Sequence, residues 1–493
     1  MAQILGEKHI HGMAKAQGCS HLQLGTFCKM FPKLSTWAAD YGISGDKEAA
    51  RIAALLGGAN GVMHDVRLES ANSDIPAAYT FFAQFIDHDV TLDTTTALHG
   101  GEQKAEKLMM VSCPAHKGHH HHEALPNLRS ASLDLDCIYG FGPEASPYLY
   151  DDSQHGRLLT GNEFNENDLA RTKTGTALIG DPRNDENIFV AQMQLLFIRF
   201  HNRRLVGRDF KEAKQDVIYH YQYLVLNDFL KRVCDEKIYD YVLNEIKNNE
   251  YPKYDIVDPF GRICMPVEFS VAAYRFGHTL VRSLYPINSE YTAIELFDER
   301  FNTSGFSHVP KELTIDWRFI LDVDPCQDYA RCKAIDHLLT DELIRMPDEI
   351  VGKFSSQNDH SLAFRNLLRG YVMLLPSGQS VAKALSEKYS MIDPNQDLKL
   401  EKVFADNDIS KKIADKLCDH TPLFFYLLRE ADIIGKGEKL GPVASAILLE
   451  VFGTMLLQCD SFLKKDWQPD PCLMSDKHGE KTFTLADIVR YIS

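Results

Sequence analysis

Apolar residues recur at helical spacing through most of this chain, and that periodicity constrains its fold more than any other feature. Segments with a 3.6-residue period run through Ala77–Asp89, Asp185–Val206, Lys211–Cys234, Val267–Leu284, Asp336–Leu343, Leu362–Leu374 and Pro442–Phe462. Strand-like alternation is sparse, and neither an internal repeat nor a Pro/Ser-rich linker divides the chain. The pattern predicts a mainly α fold, and length alone would allow about three domains. Val443–Leu457, the most apolar late segment, carries Glu450 and Gly453 and reads as a buried core helix.

Composition removes several classes of function. The 493 residues are 44% hydrophobic and 25% charged, as in ordinary soluble proteins. A formal charge of -16 argues against nucleic acid or an anionic membrane surface as the main partner. The apolar runs fall short of the roughly 18 residues a membrane span requires. Residues 1–20 are polar and His-rich without a signal core, so the expected location is cytoplasmic or leaderless-secreted. The 11 cysteines lack framework spacing, which predicts mostly reduced thiols; nothing near Cys326 and Cys332 completes a zinc site. The insert with His116 and His119–His122 reads as a solvated loop.

Four segments carry chemistry. In Gln84-Phe85-Ile86-Asp87-His88-Asp89, a helix puts Gln84, Asp87 and His88 at i, i+3 and i+4 on one face, with Phe81, Phe82 and Phe85 around them. Pro76 suits a first helical turn, and Ser73 and Asp74 are candidate caps. Polar groups in apolar surroundings are costly without a partner or ligand. In Ser130-Ala131-Ser132-Leu133-Asp134-Leu135-Asp136, oxygen-bearing residues alternate with small or apolar ones. That alternation fits either a hard-cation loop or a half-exposed strand with a polar face. In Gly180–Asn187, Arg183 and Glu186 at a helix start form either a plain ion pair or part of an active site. Gly277 precedes His278 on an expected helix; glycine there costs about 1 kcal/mol against alanine, which close approach of a flat ligand would justify.

Taken together, these segments resemble the animal-type haem peroxidases of the peroxidase–cyclooxygenase superfamily, the group of myeloperoxidase and lactoperoxidase and their compact bacterial relatives. The resemblance runs from about residue 30 to Phe483–Ile488, takes in His201-Asn202-Arg203, Asn366–Gly370 and Leu440-Gly441-Pro442, and implies one large domain over residues 31–493, with haem buried between helices, behind an N-terminal extension, residues 1–30. It implies haem b, hydrogen peroxide and a small electron donor (a phenol, iodide, bromide or thiocyanate), reacting through a ferryl intermediate. His88 is similar to the distal acid–base histidine, Arg183 to the distal arginine and Gln84 to the distal glutamine. His278 is similar to the proximal iron ligand, with Asn366 hydrogen-bonded to its ring and Arg275 among the haem-binding residues. Asp87 and Glu186 match the carboxylates that esterify haem methyl groups in mammalian members. Asp89, Ser130, the Ser132 carbonyl, Asp134 and Asp136 match a structural calcium site.

Two departures stand out. Asn187 occupies the place of a haem-linked methionine, and Tyr371-Val372-Met373-Leu374 replaces an Arg-Asp-His-Gly run. The competing readings are a haem-dependent fatty-acid dioxygenase and a non-catalytic interaction protein on the same fold. The dioxygenases use a tyrosine three residues before the proximal histidine; here that place is Arg275. Tyr274, one residue earlier, would face about 100° away on a regular α-helix.

Overall fold

The computed structural model describes residues 25–67, 71–92, 126–257, 261–352, 356–465, 467–477 and 480–493. The His116–His122 insert and residues 1–24 lie outside them. The folded body is mainly α-helical, with short strands at its edges. It already includes Gly25–Cys28, ahead of the expected boundary at residue 31. That strand lies between Pro126–Asn127 (antiparallel) and Cys264–Pro266 (parallel). Buried Glu268 fixes the same corner, accepting from Met30 N at 2.9 Å and Phe31 N at 3.2 Å.

The helix Ala78–Val90 carries the Gln84–Asp89 motif and packs on Ile188–Arg204 through aromatic side chains. Phe81 stacks on Phe189 at 4.4 Å, and Phe85 on Phe197 at 5.0 Å. Each such pair is worth about 0.5–1.5 kcal/mol beyond the area it buries. Pro442–Gln458 is buried on all sides from Val443 to Leu456, as its uniform apolarity requires. Its first amides are satisfied by buried Glu430, which accepts from Val443 N and Ala444 N. Phe210–Leu224 continues through the wider π turn Val225–Leu230 into Lys231–Val233, so the expected Lys211–Cys234 helix is present in three windings. The helix Leu362–Val372 matches its expected segment.

Three expectations are corrected. Ser73 and Asp74 do not cap the His88 helix: Asn72–Pro76 is a strand paired with Arg331–Lys333. The amides of Ala77 and Ala78 donate instead to the carbonyls of Ala330 and Ile320, so the helix starts without a side-chain cap. Val267–Leu284 is not one helix but an α segment, Val267–Val271, a break at Ala272, and a 3-10 segment, Ala273–Leu280. Asp336–Leu343 is mostly a buried turn. There Asp336 accepts from Lys333 Nζ at 2.6 Å and Leu338 N at 2.9 Å, which delays the helix to Asp341–Ile344. Every cysteine among the described residues is a free thiol. None of the described helices is long and apolar enough to cross a membrane.

Candidate functional site

A cavity of about 500 Å3 lies between the His88 helix and the Ala273–Leu280 segment. Gln84, Asp87 and His88 line it from one helix face, as their i, i+3, i+4 spacing dictates; Arg183, Glu186 and Asn187 line it from the turn that follows Gly180. Arg275, Gly277 and His278 contribute from the 3-10 segment. A Cβ built on Gly277 would meet no protein atom closer than Ala83 Cβ at 3.9 Å, so a side chain there would project into open cavity space.

His88 is nearly buried, and its Nδ1 lies 2.7 Å from Asn184 Oδ1. Its Nε2 lies 3.5 Å from Glu186 Oε1. Burial, reinforced by the Arg183 charge, lowers the imidazole to about 4, so the ring is neutral at physiological pH. Gln84 donates through Nε2 to Glu186 Oε1, while Gln84 Oε1 accepts from Asn187 Nδ2 at 3.2 Å. Asn187 also caps the helix Ile188–Arg204, accepting from Val190 N at 2.9 Å. The residue at the methionine place therefore fixes both the helix start and the orientation of the Gln84 amide. Burial pushes the Glu186 carboxyl up to about 7, against the Arg183 charge. Burial also acts to raise Asp87, but Arg275, whose Nη1 is 3.8 Å from Asp87 Oδ2, together with His88, Arg183 and the Thr91 hydroxyl, outweighs it and holds the carboxyl below its usual value.

Arg183 does not pair with Glu186. Its Nη2 donates to Asp181 at 2.7 Å and to the carbonyls of His88 at 2.9 Å and Thr91 at 2.7 Å. Asp181 is fully buried and bridges two guanidiniums, since Arg129 Nη2 donates at 2.5 Å to the same Oδ2 that Arg183 Nη2 meets. Close packing behind the turn adds rigidity. Gly305, at φ 77°, lies so near the Asp185 carbonyl that a Cβ would collide with it. The Phe306 amide donates to that same carbonyl at 2.7 Å.

On the other wall, Asn366 sits behind His278 on Leu362–Val372, with Nδ2 2.9 Å from His278 Nδ1. A half-turn of this amide would present Oδ1 to the ring, accept an Nδ1 proton and leave the Nε2 lone pair facing the cavity. Burial and the nearby Arg275 charge lower His278 to about 3, keeping it neutral and able to ligate a metal. Tyr274 does not face away. It lines the cavity wall, where its hydroxyl donates to the Ala83 carbonyl at 3.1 Å.

The Ser130–Asp136 segment is a loop, not a strand. Ala131, Leu133 and Leu135 take left-handed conformations with φ of 50°, 51° and 56° and are buried, while the residues between them are half-exposed. The alternation thus belongs to a coiled loop with apolar anchors. Carboxylate oxygens of Asp89, Asp134 and Asp136 converge within 4.8 Å of one another. Burial and the mutual repulsion of these acids push Asp89 well above its usual value. Asp136 is raised to about 7, chiefly by burial, although Arg129 Nη1 is 2.8 Å from it. Ser130 Oγ is buried without a hydrogen-bond partner, and Ser132 Oγ donates to the Ser130 carbonyl at 3.0 Å. Crowded acids beside an orphaned hydroxyl fit an oxygen-liganded cation.

The animal haem peroxidase family model matches residues 109–316. A peroxidase-like protein of Margaritifera margaritifera is 27% identical over 188 residues, 32% of this chain and 22% of that protein. The chorion peroxidase of Drosophila melanogaster is 28% identical over 200 residues, 35% of this chain and 24% of that protein. The matched stretch thus spans under a quarter of the length of these curated relatives. The fold extends the likeness. Peroxidase A from Dictyostelium discoideum superposes with a TM-score of 0.58 at 15% identity, covering 90% of this chain and 88% of that one. A fatty acid alpha-dioxygenase from Oryza sativa gives 0.56 at 14% identity, covering 95% and 79%. The chain therefore shares its fold with both of these proteins. The resemblance to the animal haem peroxidase family thus rests on residues 109–316, less than half of the chain.

Sequence reasoning missed four residues of the site: Asp181, Asn184, Arg129 and Gln194. The first two lay inside the Gly180–Asn187 motif, where an Asp two residues before an arginine and an amide directly after it were available signals. The other two lie just before the Ser130–Asp136 segment and on the Asp185–Val206 helix, where neither stood out from its neighbours.

Proposed function

We propose that the chain is a haem peroxidase that uses hydrogen peroxide to oxidise small donors such as phenols, iodide, bromide or thiocyanate. The observation that carries this reading is the shared cavity, which two neutral histidines, buried His88 and half-buried His278, enter from different elements, one flanked by Arg183 and Gln84 and the other backed by Asn366. The residues present fit haem b. His278 would ligate the iron through Nε2, Arg275 supplies cationic charge for carboxylate side arms, and the Gly277 face leaves room for a flat macrocycle. Bound there, haem supplies the two-electron oxidation–reduction chemistry with peroxide.

The chain's own residues move protons and orient charge. Neutral His88 accepts a proton from peroxide at Nε2 and returns it to the departing oxygen. Arg183, immobilised by Asp181 and two carbonyls, holds a fixed positive charge beside that transfer. Gln84, its amide oriented by Asn187, offers N–H groups to water or a small anion. Asp87 and Glu186 both line the cavity and are the candidates for ester links to the macrocycle. With Asn187 between Glu186 and the helix, no sulfonium link forms. Asp89, Ser130, the Ser132 carbonyl, Asp134 and Asp136 are proposed to hold one calcium ion. That ion would clamp the backbone next to His88.

A fatty-acid dioxygenase is the second reading, favoured by Tyr274 on the cavity wall and by the fold shared with the rice enzyme. Arg275 at the place three residues before His278 favours the peroxidase. The test is haem reconstitution followed by peroxide-dependent oxidation of a donor panel, with oxygen uptake on linoleate in parallel. Donor oxidation without oxygen uptake supports the first reading; oxygen uptake without donor oxidation overturns it.

A further inference from the structure

The hydrogen bonds behind His88 fix which ring nitrogen carries the proton. They form one line: His88 Nδ1 to Asn184 Oδ1 at 2.7 Å, Asn184 Nδ2 to Gln194 Oε1 at 2.8 Å, and Gln194 Nε2 to the Cys137 carbonyl at 3.1 Å. His88, Asn184 and Gln194 are all buried, at 5%, 0% and 0% exposure, so water is not available to substitute for a missing partner. An imidazole and two amides could each be turned either way, but the last member cannot. A backbone carbonyl only accepts. Gln194 must therefore donate to Cys137, Asn184 must donate to Gln194, and His88 must donate from Nδ1 to Asn184. The Cys137 carbonyl is held in turn by the Gly180 amide at 2.9 Å, and Cys137 lies in the short helix Asp136–Tyr139 directly after the acidic loop.

We infer that Asn184 is the positioning residue that locks His88 in its Nδ1-protonated tautomer, with the Nε2 lone pair presented to the cavity. The alternative tautomer would need an acceptor for an Nε2 proton. The nearest carboxyl oxygen, Glu186 Oε1, is 3.5 Å away, beyond a good hydrogen bond and already taken by Gln84. A distal base must meet its substrate with an unprotonated nitrogen, so the line sets the ring ready before peroxide arrives. The catalytic meaning of this inference rests on the proposed function; the tautomer itself does not.

The test compares wild type with Asn184→Ala and Asn184→Asp. In Asn184→Asp a carboxylate oxygen still accepts from Nδ1 although the bond to Gln194 is lost, so this variant keeps the acceptor that sets the tautomer. On haem-loaded protein, association of hydrogen cyanide reads proton acceptance by Nε2, because the acid must hand over its proton on binding. The rate should fall at least about tenfold in Asn184→Ala and stay near wild type in Asn184→Asp. Carbon monoxide, which carries no proton, should associate equally with all three and so exposes any damage to the pocket. Tautomers are read directly by nitrogen NMR on histidine-labelled protein, which needs no variant and no haem. Wild-type His88 protonated at Nε2, or a wild-type cyanide rate in a folded Asn184→Ala, overturns the inference. A chain that takes up no haem refutes the proposed function instead, and the labelled spectrum then decides the tautomer alone.

Discussion

Replacing Asp181 by asparagine should cost the folded protein about 3 kcal/mol at neutral pH, although the residue neither faces solvent nor stood out in the sequence. Its carboxylate is fully buried and accepts from Arg183 N at 2.9 Å, Arg183 Nε at 3.1 Å, Arg183 Nη2 at 2.7 Å and Arg129 Nη2 at 2.5 Å. Breaking a buried ion pair from one side costs about 3–5 kcal/mol, because the remaining charge is left desolvated without a counter-charge. The lower end applies here. Arg183 keeps 22% of its side chain in solvent and two carbonyl partners, and Arg129 keeps Asp136. The pH dependence has a definite sign. Burial acts to raise the Asp181 carboxyl, but the Arg183 and Arg129 charges outweigh it and hold it well below its usual value. A depressed acid contributes stability above its unfolded value of about 3.9 and loses it as pH falls toward the folded value. In urea unfolding at matched pH, the gap between wild type and Asp181→Asn should be flat from about pH 8 to 5 and shrink below about 4. A gap under about 0.5 kcal/mol at neutral pH, the size of an exposed pair, would refute the claim that the two arginines depend on this carboxylate. So would a gap that stays constant through pH 3.5.

Three further outcomes are expected. His278→Ala should lose the haem absorbance band, whereas His88→Ala should keep it and react with peroxide about 10^2–10^4-fold more slowly; in wild type that rate should rise through about pH 4 and level off as His88 loses its proton. Elemental analysis should find about one calcium per chain, and chelation should lower the melting temperature, because a ligand held only by the folded state stabilises it; Asp134→Asn with Asp136→Asn should abolish that shift, and metal-free protein that melts unchanged would rule the ion out. After brief peroxide treatment, haem should resist acidic-solvent extraction from wild type yet extract fully from Asp87→Ala, Glu186→Ala; complete extraction from both would leave the two carboxylates as structural residues.

What the sequence made legible was local. The i, i+3, i+4 spacing of Gln84, Asp87 and His88 needs only a helix to become a shared face, and that helix forms with its aromatic side packed on Ile188–Arg204. The uniformly apolar Pro442–Gln458 is likewise decided within its own segment. The failures share one cause: distant backbone took over a local role. Ala330 and Ile320 supply the acceptors that Ser73 and Asp74 were expected to replace. A break at Ala272 divides the expected helix and starts the 3-10 segment whose Tyr274 lines the cavity wall, a break that no α-helical wheel would show. The same reasoning separates what a motif contains from what it does. Asn184 was visible beside Arg183, but its role depends on Gln194 and on the Cys137 carbonyl, residues brought together only by the fold. Asp181 was visible too, yet its charge matters because Arg129, just before the acidic loop, meets the same carboxylate oxygen as Arg183. Side-chain identity near the reacting atoms is therefore written in short motifs. Proton placement and charge compensation belong to long-range contacts, and at this site both lines of contact lead back to the segment from Arg129 to Cys137.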